Sequence, residues 1–252
     1  MPNALVTGSS RGIGRAIAQT FARRGDHVVV HYAGDRAAAE QTLASLHGTG
    51  HAIVGGDIGS PAGAQQVVDD AVAALGSLDI LVNNAAVAPN AGNAHRPDST
   101  TFEQWQQAWL PMVQVNLLGT ANVTLLFAQH LIARGSGGAI VNIGSRGAFR
   151  GEPDHPAYAA TKAGLQALGQ SMALALAPHD IAVASVAPGM IATERQAEKL
   201  TGASGDRIRE QSPFGRVGTP EEVAEAVAYL TSGSAKWASG AILDLNGASY
   251  LR

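Results

Sequence analysis

Seven short apolar runs alternate with longer helix-like stretches along this chain, and no other feature restricts the fold as much. The runs are Ala4–Thr7, His27–Tyr32, His51–Gly55, Leu78–Asn83, Ala139–Ile143, Ala182–Val186 and Ala241–Leu245. Most are near-continuous in apolar residues, the pattern of parallel strands covered on both faces. Helices are expected over Ile13–Arg24, Arg36–Leu46, Pro61–Leu75, Thr101–Arg134, Pro156–Pro178 and Pro220–Leu230. Repeated β-α-β order with right-handed crossovers predicts an α/β fold: a doubly wound, parallel, seven-stranded sheet of the Rossmann type with helices on both faces. No linker, repeat or shift in composition divides the chain. Residues 1–252 are therefore expected to form one domain, with Met190–Gly218 (190–218) as its most loop-like excursion and a lid over the substrate.

Composition excludes several functions. Hydrophobic residues make up 46% of the 252, enough for one sizeable core. Net charge is −3 and no run of like charges exceeds two residues, so neither a nucleic-acid footprint nor a polybasic membrane patch is present. There is no cysteine, which removes disulfides, thiol catalysis and thiolate metal sites, and no metal is expected. The first apolar run begins almost at Met1 with no signal-peptide pattern before it, and no apolar stretch approaches the ~20 residues of a membrane span. A cytoplasmic protein is the expectation.

The chemistry is expected at strand ends. Thr7-Gly8-Ser9-Ser10-Arg11-Gly12-Ile13-Gly14 follows the first strand and opens a helix. Glycines there allow a tight turn and let backbone N–H groups approach a pyrophosphate at a helix N-terminus. The spacing is G-x-x-x-G-x-G, and a structural turn is the alternative. The second strand ends on Tyr32 with no acid at its tip; Asp35 and Arg36 follow after a glycine. With Arg11 as a second cation for a 2′-phosphate, NADP(H) is favoured over NAD(H), and Asp35 is the residue that opposes this.

Asp57 and Ile58 end the third strand, and Asn84, Ala85 and Ala86 the fourth; each could contact a cofactor or serve as a turn. Pro188, Gly189, Ile191 and Thr193 follow the sixth strand, where Thr193 could bond a carboxamide or a phosphate. Tyr158 and Lys162 are four apart on a predicted helix and share one face. A cation beside a phenol favours the phenolate, as proton exchange near neutral pH requires. Asn116 is an odd choice for a helix interior and hints at a kink, as does Pro111. Trp105 and Trp109 are read as core packing.

Taken together, Thr7-Gly8-x-x-x-Gly12-x-Gly14, Asp57, Asn83-Asn84-Ala85, Asn116, Ser145, Tyr158-x-x-x-Lys162 and Pro188-Gly189 resemble the short-chain dehydrogenase/reductase family over essentially the whole chain. Ser10–Ala18 and Leu245-Asn246-Gly247 are most similar to its bacterial 3-oxoacyl-carrier-protein reductases. The resemblance implies a hydride-transferring oxidoreductase acting on a carbonyl or secondary alcohol, or an acyl thioester, and assembled as a homotetramer. By the same resemblance Ser145 holds the substrate oxygen, and Tyr158 is general acid or base. Lys162 grips the nicotinamide ribose and lowers the Tyr158 pKa, while Asn116 binds a water leading from Lys162 to solvent.

A non-catalytic NAD(P)-binding sensor with the same fold is the alternative, but it has no need of the full Asn116, Ser145, Tyr158, Lys162 set. Two departures stand out. Ala86 replaces the family's glycine, which matters if that position needs a positive φ. The interval between Asn84 and Asn116 carries extra residues, including His95, so specificity does not transfer from relatives. His155, Glu152 and Asp154 could line the pocket's mouth or be turn residues.

Overall fold

The computed structural model describes residues Met1–Arg252. Seven parallel strands, β1 (Asn3–Val6), β2 (His27–Tyr32), β3 (Ala52–Gly55), β4 (Ile80–Asn83), β5 (Gly138–Ile143), β6 (Ile181–Pro188) and β7 (Ile242–Leu245), form one sheet in the order β3-β2-β1-β4-β5-β6-β7. The doubly wound sheet expected from the apolar runs is present. Register keeps Leu5 beside Val29 and Leu81, and Val141 beside Val82 and Ala184.

Helices α1 (Gly12–Arg24), α2 (Arg36–Ala44), α3 (Pro61–Leu75), α4 (Phe102–Val113), α5 (Thr120–Arg134), α6 (Gly147–Arg150), α7 (Pro156–Leu176), α8 (Gly202–Arg209) and α9 (Pro220–Leu230) complete the domain. Side chains alternate across the sheet with period two and build one core on each face. Val6, Val28, Val82 and Val186 pack with Ile17 and Phe21 of α1 and Val223 and Val227 of α9. Leu5, Val29, Leu81 and Ile140 pack with Val67 of α3 and Phe127 and Leu131 of α5. Full burial of side chains of this size stabilises by about 1.5–3 kcal/mol each.

The segment expected as one helix from Thr101 to Arg134 is continuous but not uniform. A π-helical stretch, Gln114–Gly119, joins α4 to α5. Pro111 lies inside α4 and does not begin the second part; the irregular stretch centres on Asn116. This run, Phe102–Arg134, is also long and apolar enough to cross a membrane by length and composition, contrary to expectation, with a mean hydropathy of 1.3 over its most apolar window. Met112, Val123, Phe127 and Leu131 are nevertheless fully buried against the protein. Trp105 and Trp109 are not core residues. They are half-buried and stacked on each other, ring centres 5.4 Å apart, with His95 edge-on to Trp105.

The excursion at Met190–Gly218 is more ordered than expected. It holds two 3₁₀ turns and α8, and is closed at its base by a bridge between Ile191 and Gly218.

Candidate active site

The strand order reverses between β1 and β4, and at the carboxyl ends of those strands lies a cleft of about 590 Å³. Open α/β sheets bind ligands at that switch point. The β1–α1 loop forms one wall. Gly8 has a φ of 64°, and a Cβ there would stand 2.8 Å from Ala85 Cα, so the loop seats on the β4 end only because the residue is glycine. Asn84 clamps the same loop: its Nδ2 donates to Thr7 O at 2.9 Å and Gly8 O at 3.0 Å. Thr7 Oγ1 accepts from the Asn84 and Ala85 amides.

Helix α1 begins, like α7 and α8, without a side-chain cap, and its start faces the cleft. Asp35, Ser60, Thr101 and Thr219 each cap a helix through a side chain, whereas α1 has no side-chain cap and no acid in its first turn. Its leading N–H groups have no intrahelical partner and adjoin the cleft. That arrangement fits the pyrophosphate of a dinucleotide, through both the free donors and the helix dipole.

Of the residues singled out as cofactor contacts, Gly8, Ser10, Arg11, Gly12, Ile13, Asp57, Ile58, Asn84, Ala85, Ala86, Pro188, Gly189, Ile191 and Thr193 line the cleft. Gly14 and Tyr32 do not. Gly14 packs behind the loop, where a Cβ would lie 2.5 Å from Asn84 Nδ2. The Tyr32 ring turns away over Gly55 and toward Arg36. Ala86 has no positive φ, so the methyl in place of glycine brings no backbone strain. Asp35 has two tasks: it caps α2 through Ala38 N and pairs with Arg11 at 2.5 Å. Arg11, expected to meet a 2′-phosphate, thus already has a carboxylate partner.

Residues not foreseen also reach this wall. His31 is buried at the end of β2; its Nδ1 accepts from Gly8 N at 2.9 Å and its Nε2 donates to Gly56 O at 2.9 Å. Burial holds its pKa below the ordinary value, and the neutral ring braces the loop. A second histidine closing the Val28–Val30 run at the carboxyl end of the strand was the available signal.

At the other end of the cleft, β5 delivers Ser145 and α7 delivers Tyr158 and Lys162. Ser145 Oγ accepts from Gly147 N at 3.0 Å. Lys162 is buried and its Nζ donates to Ile143 O at 2.6 Å. Burial brings its pKa down to about 8, and burial pushes the Tyr158 phenol up to about 12, opposed by hydrogen bonding to Ser145. In the protein alone, then, Lys162 does not lower the Tyr158 pKa. The ammonium is 5.8 Å from the phenol ring centre and spends a donor on the backbone.

Asn116 is fully buried and lies outside the cleft wall. Its Oδ1 accepts from Val87 N at 2.7 Å, and its Nδ2 donates to Val87 O at 3.1 Å and Thr161 Oγ1 at 3.2 Å. The side chain fastens the loop after β4 to α7 and makes no direct bond to Lys162.

Helix α7 starts with Pro156, and its N-cap His155 supplies no side-chain bond. The cap comes from the loop after β4 instead: fully buried His95 accepts from Ala157 N at 3.0 Å through Nε2 and donates to Asn93 O at 2.7 Å through Nδ1. His155, Glu152 and Asp154 do line the cleft, as do Val87, Arg146, Arg150, Met190, Arg195 and Lys199. Arg146 and Arg150 belong to the Arg146–Pro156 loop that the sequence suggests as a chooser of substrate, although neither arginine stands out there as a site residue. No group of His, Asp or Glu residues is placed to hold a metal.

With this geometry in hand, comparison with known proteins is specific. The family model described as enoyl-(acyl carrier protein) reductase matches residues 8–247. The L-rhamnose 1-dehydrogenase (NAD(P)(+)) of Azotobacter vinelandii is 36% identical, covering 98% of this chain and 96% of its own. The 3-oxoacyl-(acyl-carrier-protein) reductase FabG of Staphylococcus aureus is 33% identical over 99% of this chain and 98% of its own. Among solved structures, acetoin dehydrogenase YohF of Salmonella typhimurium superposes with a TM-score of 0.82 at 30% identity, covering 98% of this chain and 96% of that one.

Proposed function

This chain belongs to the short-chain dehydrogenase/reductase family and is an oxidoreductase of CH–OH and C=O groups, and we propose that it uses NADP(H) and the tetrad Asn116, Ser145, Tyr158 and Lys162. The carrying observation is that Ser145, Tyr158 and Lys162 line the same cleft as the uncapped α1 N-terminus. Members of the family use NAD(P). Gly8, Ser10, Arg11, Gly12 and Ile13 would hold its pyrophosphate and adenosine end, with Asn84, Ala85, Pro188, Gly189, Ile191 and Thr193 along the nicotinamide half.

The bound dinucleotide supplies the hydride. In reduction, Tyr158 Oη gives its proton to the substrate oxygen while Ser145 Oγ donates a hydrogen bond to the same atom. Two donors on one developing oxyanion stabilise charge where it forms. Lys162 keeps two ammonium protons beyond its bond to Ile143 O, and these serve the ribose hydroxyls. Its charge favours the phenolate once the pair is drawn together, offsetting the burial that holds the phenol up. Asn116 sets the spacing between α7 and the β4 loop, so its part is positioning.

The NADP(H) preference rests on the acid-free tip of β2 and on Arg11, with Asp35 tempering it. A homotetramer belongs to the same reading, supported by an apolar stripe left exposed on the outer face of α4, the π segment and α5 (Leu110, Leu118, Leu125) and by Leu174 on α7. A cytoplasmic location, where nicotinamide dinucleotides are held, completes it. The test is absorbance at the nicotinamide band with NADPH and NADH separately, against ketones, sugars and acyl thioesters. Oxidation of either by a carbonyl substrate supports the assignment, and cofactor-induced stabilisation without turnover on the whole panel would favour a non-catalytic sensor.

A further inference from the structure

The substrate end of the cleft carries more positive than negative charge: Arg146 and Arg150 have one carboxylate between them, Glu152, which pairs with Arg150 at 3.7 Å. Arg146, directly after Ser145, is 5% exposed and has no carboxylate partner. Its Nη1 donates to Ser249 Oγ in the C-terminal tail and its Nη2 to Gln211 Oε1, at 2.6 Å, in the segment after α8. Arg150, at the end of α6, reaches the same Gln211 oxygen at 3.4 Å. One neutral amide oxygen therefore serves two guanidinium groups, both of which line the cleft.

The nearest acid is Glu152, 3.7 Å from Arg150 and packed over Gly147. Across the opening, Arg195 and Lys199 also line the cleft and form no ion pair, whereas two of the other acids there are committed elsewhere and Asp57 lies at the cofactor end, where it accepts from Gly59 N. Asp154 pairs with Arg96 at 2.9 Å, and Glu194 with Arg15 at 3.2 Å. A buried cation beside another of like sign is costly unless a counter-charge arrives. Burial and the Arg150 charge accordingly weaken the hold of Arg146 on its proton. Guanidinium pairs suit carboxylate and phosphate because their planar forks match the oxygen geometry.

We propose that the substrate carries an anionic group, carboxylate or phosphate, that docks on Arg146 and Arg150 while its carbonyl oxygen meets Ser145 and Tyr158. This rests on the oxidoreductase reading above, and two readouts separate their failures.

The first readout is NADPH oxidation by the full chain with acetoacetate against methyl acetoacetate, and with dihydroxyacetone phosphate against dihydroxyacetone. In one pair the anionic member should be favoured in kcat/KM by about tenfold or more. The advantage should shrink as salt is raised. Arg150→Gln, at a half-exposed position, should cut it several-fold without touching the Arg146 bonds. The responding pair tells carboxylate from phosphate. The second readout needs no turnover: thermal stabilisation of the NADP⁺-saturated protein by 3-hydroxybutyrate or inorganic phosphate, lost in Arg150→Gln. That loss supports the anion site even where neither ketone pair is reduced. Equal kcat/KM within both pairs, or stabilisation undiminished in Arg150→Gln, overturns it.

Discussion

Lys162 stands one turn beyond Tyr158 on α7, yet its hydrogen bond runs to Ile143 O at 2.6 Å while its ammonium lies 5.8 Å from the centre of the phenol ring. Each group is pushed by burial toward its neutral form, to about 8 for the lysine and about 12 for the tyrosine. In the protein alone, burial outweighs the Ser145 hydrogen bond and the Arg195 charge, which favour the phenolate. On the proposed mechanism, the pair exchanges protons when phenolate and ammonium offset each other's desolvation.

That pair predicts a pH signature in stability. Between about 8 and 10.5 the unfolded chain holds the Lys162 proton that the folded protein has released, so stability rises with pH across this window. Between 10 and 10.5 the two effects oppose each other, and above about 10.5 the sign reverses, because the unfolded Tyr158 ionises while the folded phenol keeps its proton to about 12. Urea unfolding of the cofactor-free protein should show the rise, and Lys162→Met should flatten it. An equal rise in the variant would assign the effect to another group.

Asp35→Asn separates the two tasks of Asp35. Asparagine retains the cap on Ala38 N, so α2 should be unaffected, while Arg11 loses its ion-pair partner. The KM for NADPH relative to NADH should fall roughly threefold to tenfold, the scale of one half-exposed charge. No change, or a shift toward NADH, would remove Arg11 from 2′-phosphate binding.

Gly14→Ala tests the packing behind the phosphate loop. The added methyl meets Asn84 Nδ2 at 2.5 Å and Gly8 O at 2.6 Å, neither of which yields without displacing the loop. A loss of about 1–3 kcal/mol is expected in urea unfolding, accompanied by weaker NADPH binding in fluorescence titration.

His95 acts on the chemistry at one remove, through the start of α7. His95→Leu leaves the Ala157 amide buried without an acceptor, at a cost of about 1–3 kcal/mol. His95→Gln can place an oxygen where Nε2 stands. Leucine should lower kcat more than it raises the KM for NADPH, and glutamine should restore most of it. Equal kcat in both variants would make His95 a packing residue only.

What the sequence made legible follows from periodicity and from chemistry tied to one backbone position. Strands such as His27–Tyr32 are bounded as expected because a parallel strand buried on both faces needs an unbroken apolar run. Tyr158 and Lys162 are legible as a pair from their i, i+4 helical spacing, and Ser145 joins them through the family resemblance. Tyr32 lies outside the cleft because strand alternation puts it on the face of Val28 and Val30, while His31 takes the cleft side. The Asp35–Arg11 pair, the His95 cap and the Gln211 oxygen shared by Arg146 and Arg150 join residues far apart in the chain. Such contacts depend on tertiary closure, which local pattern does not encode.

The most direct test of the central claim is Tyr158→Phe, assayed for NADPH-dependent carbonyl reduction and for NADPH binding on the same preparation. Removing one hydroxyl deletes the proposed proton donor and leaves the ring packing in place. Turnover should fall by a factor of at least about 10² to 10⁴, the usual worth of a positioned general acid, with NADPH affinity nearly unchanged. Wild-type-like rates in the variant would contradict the account.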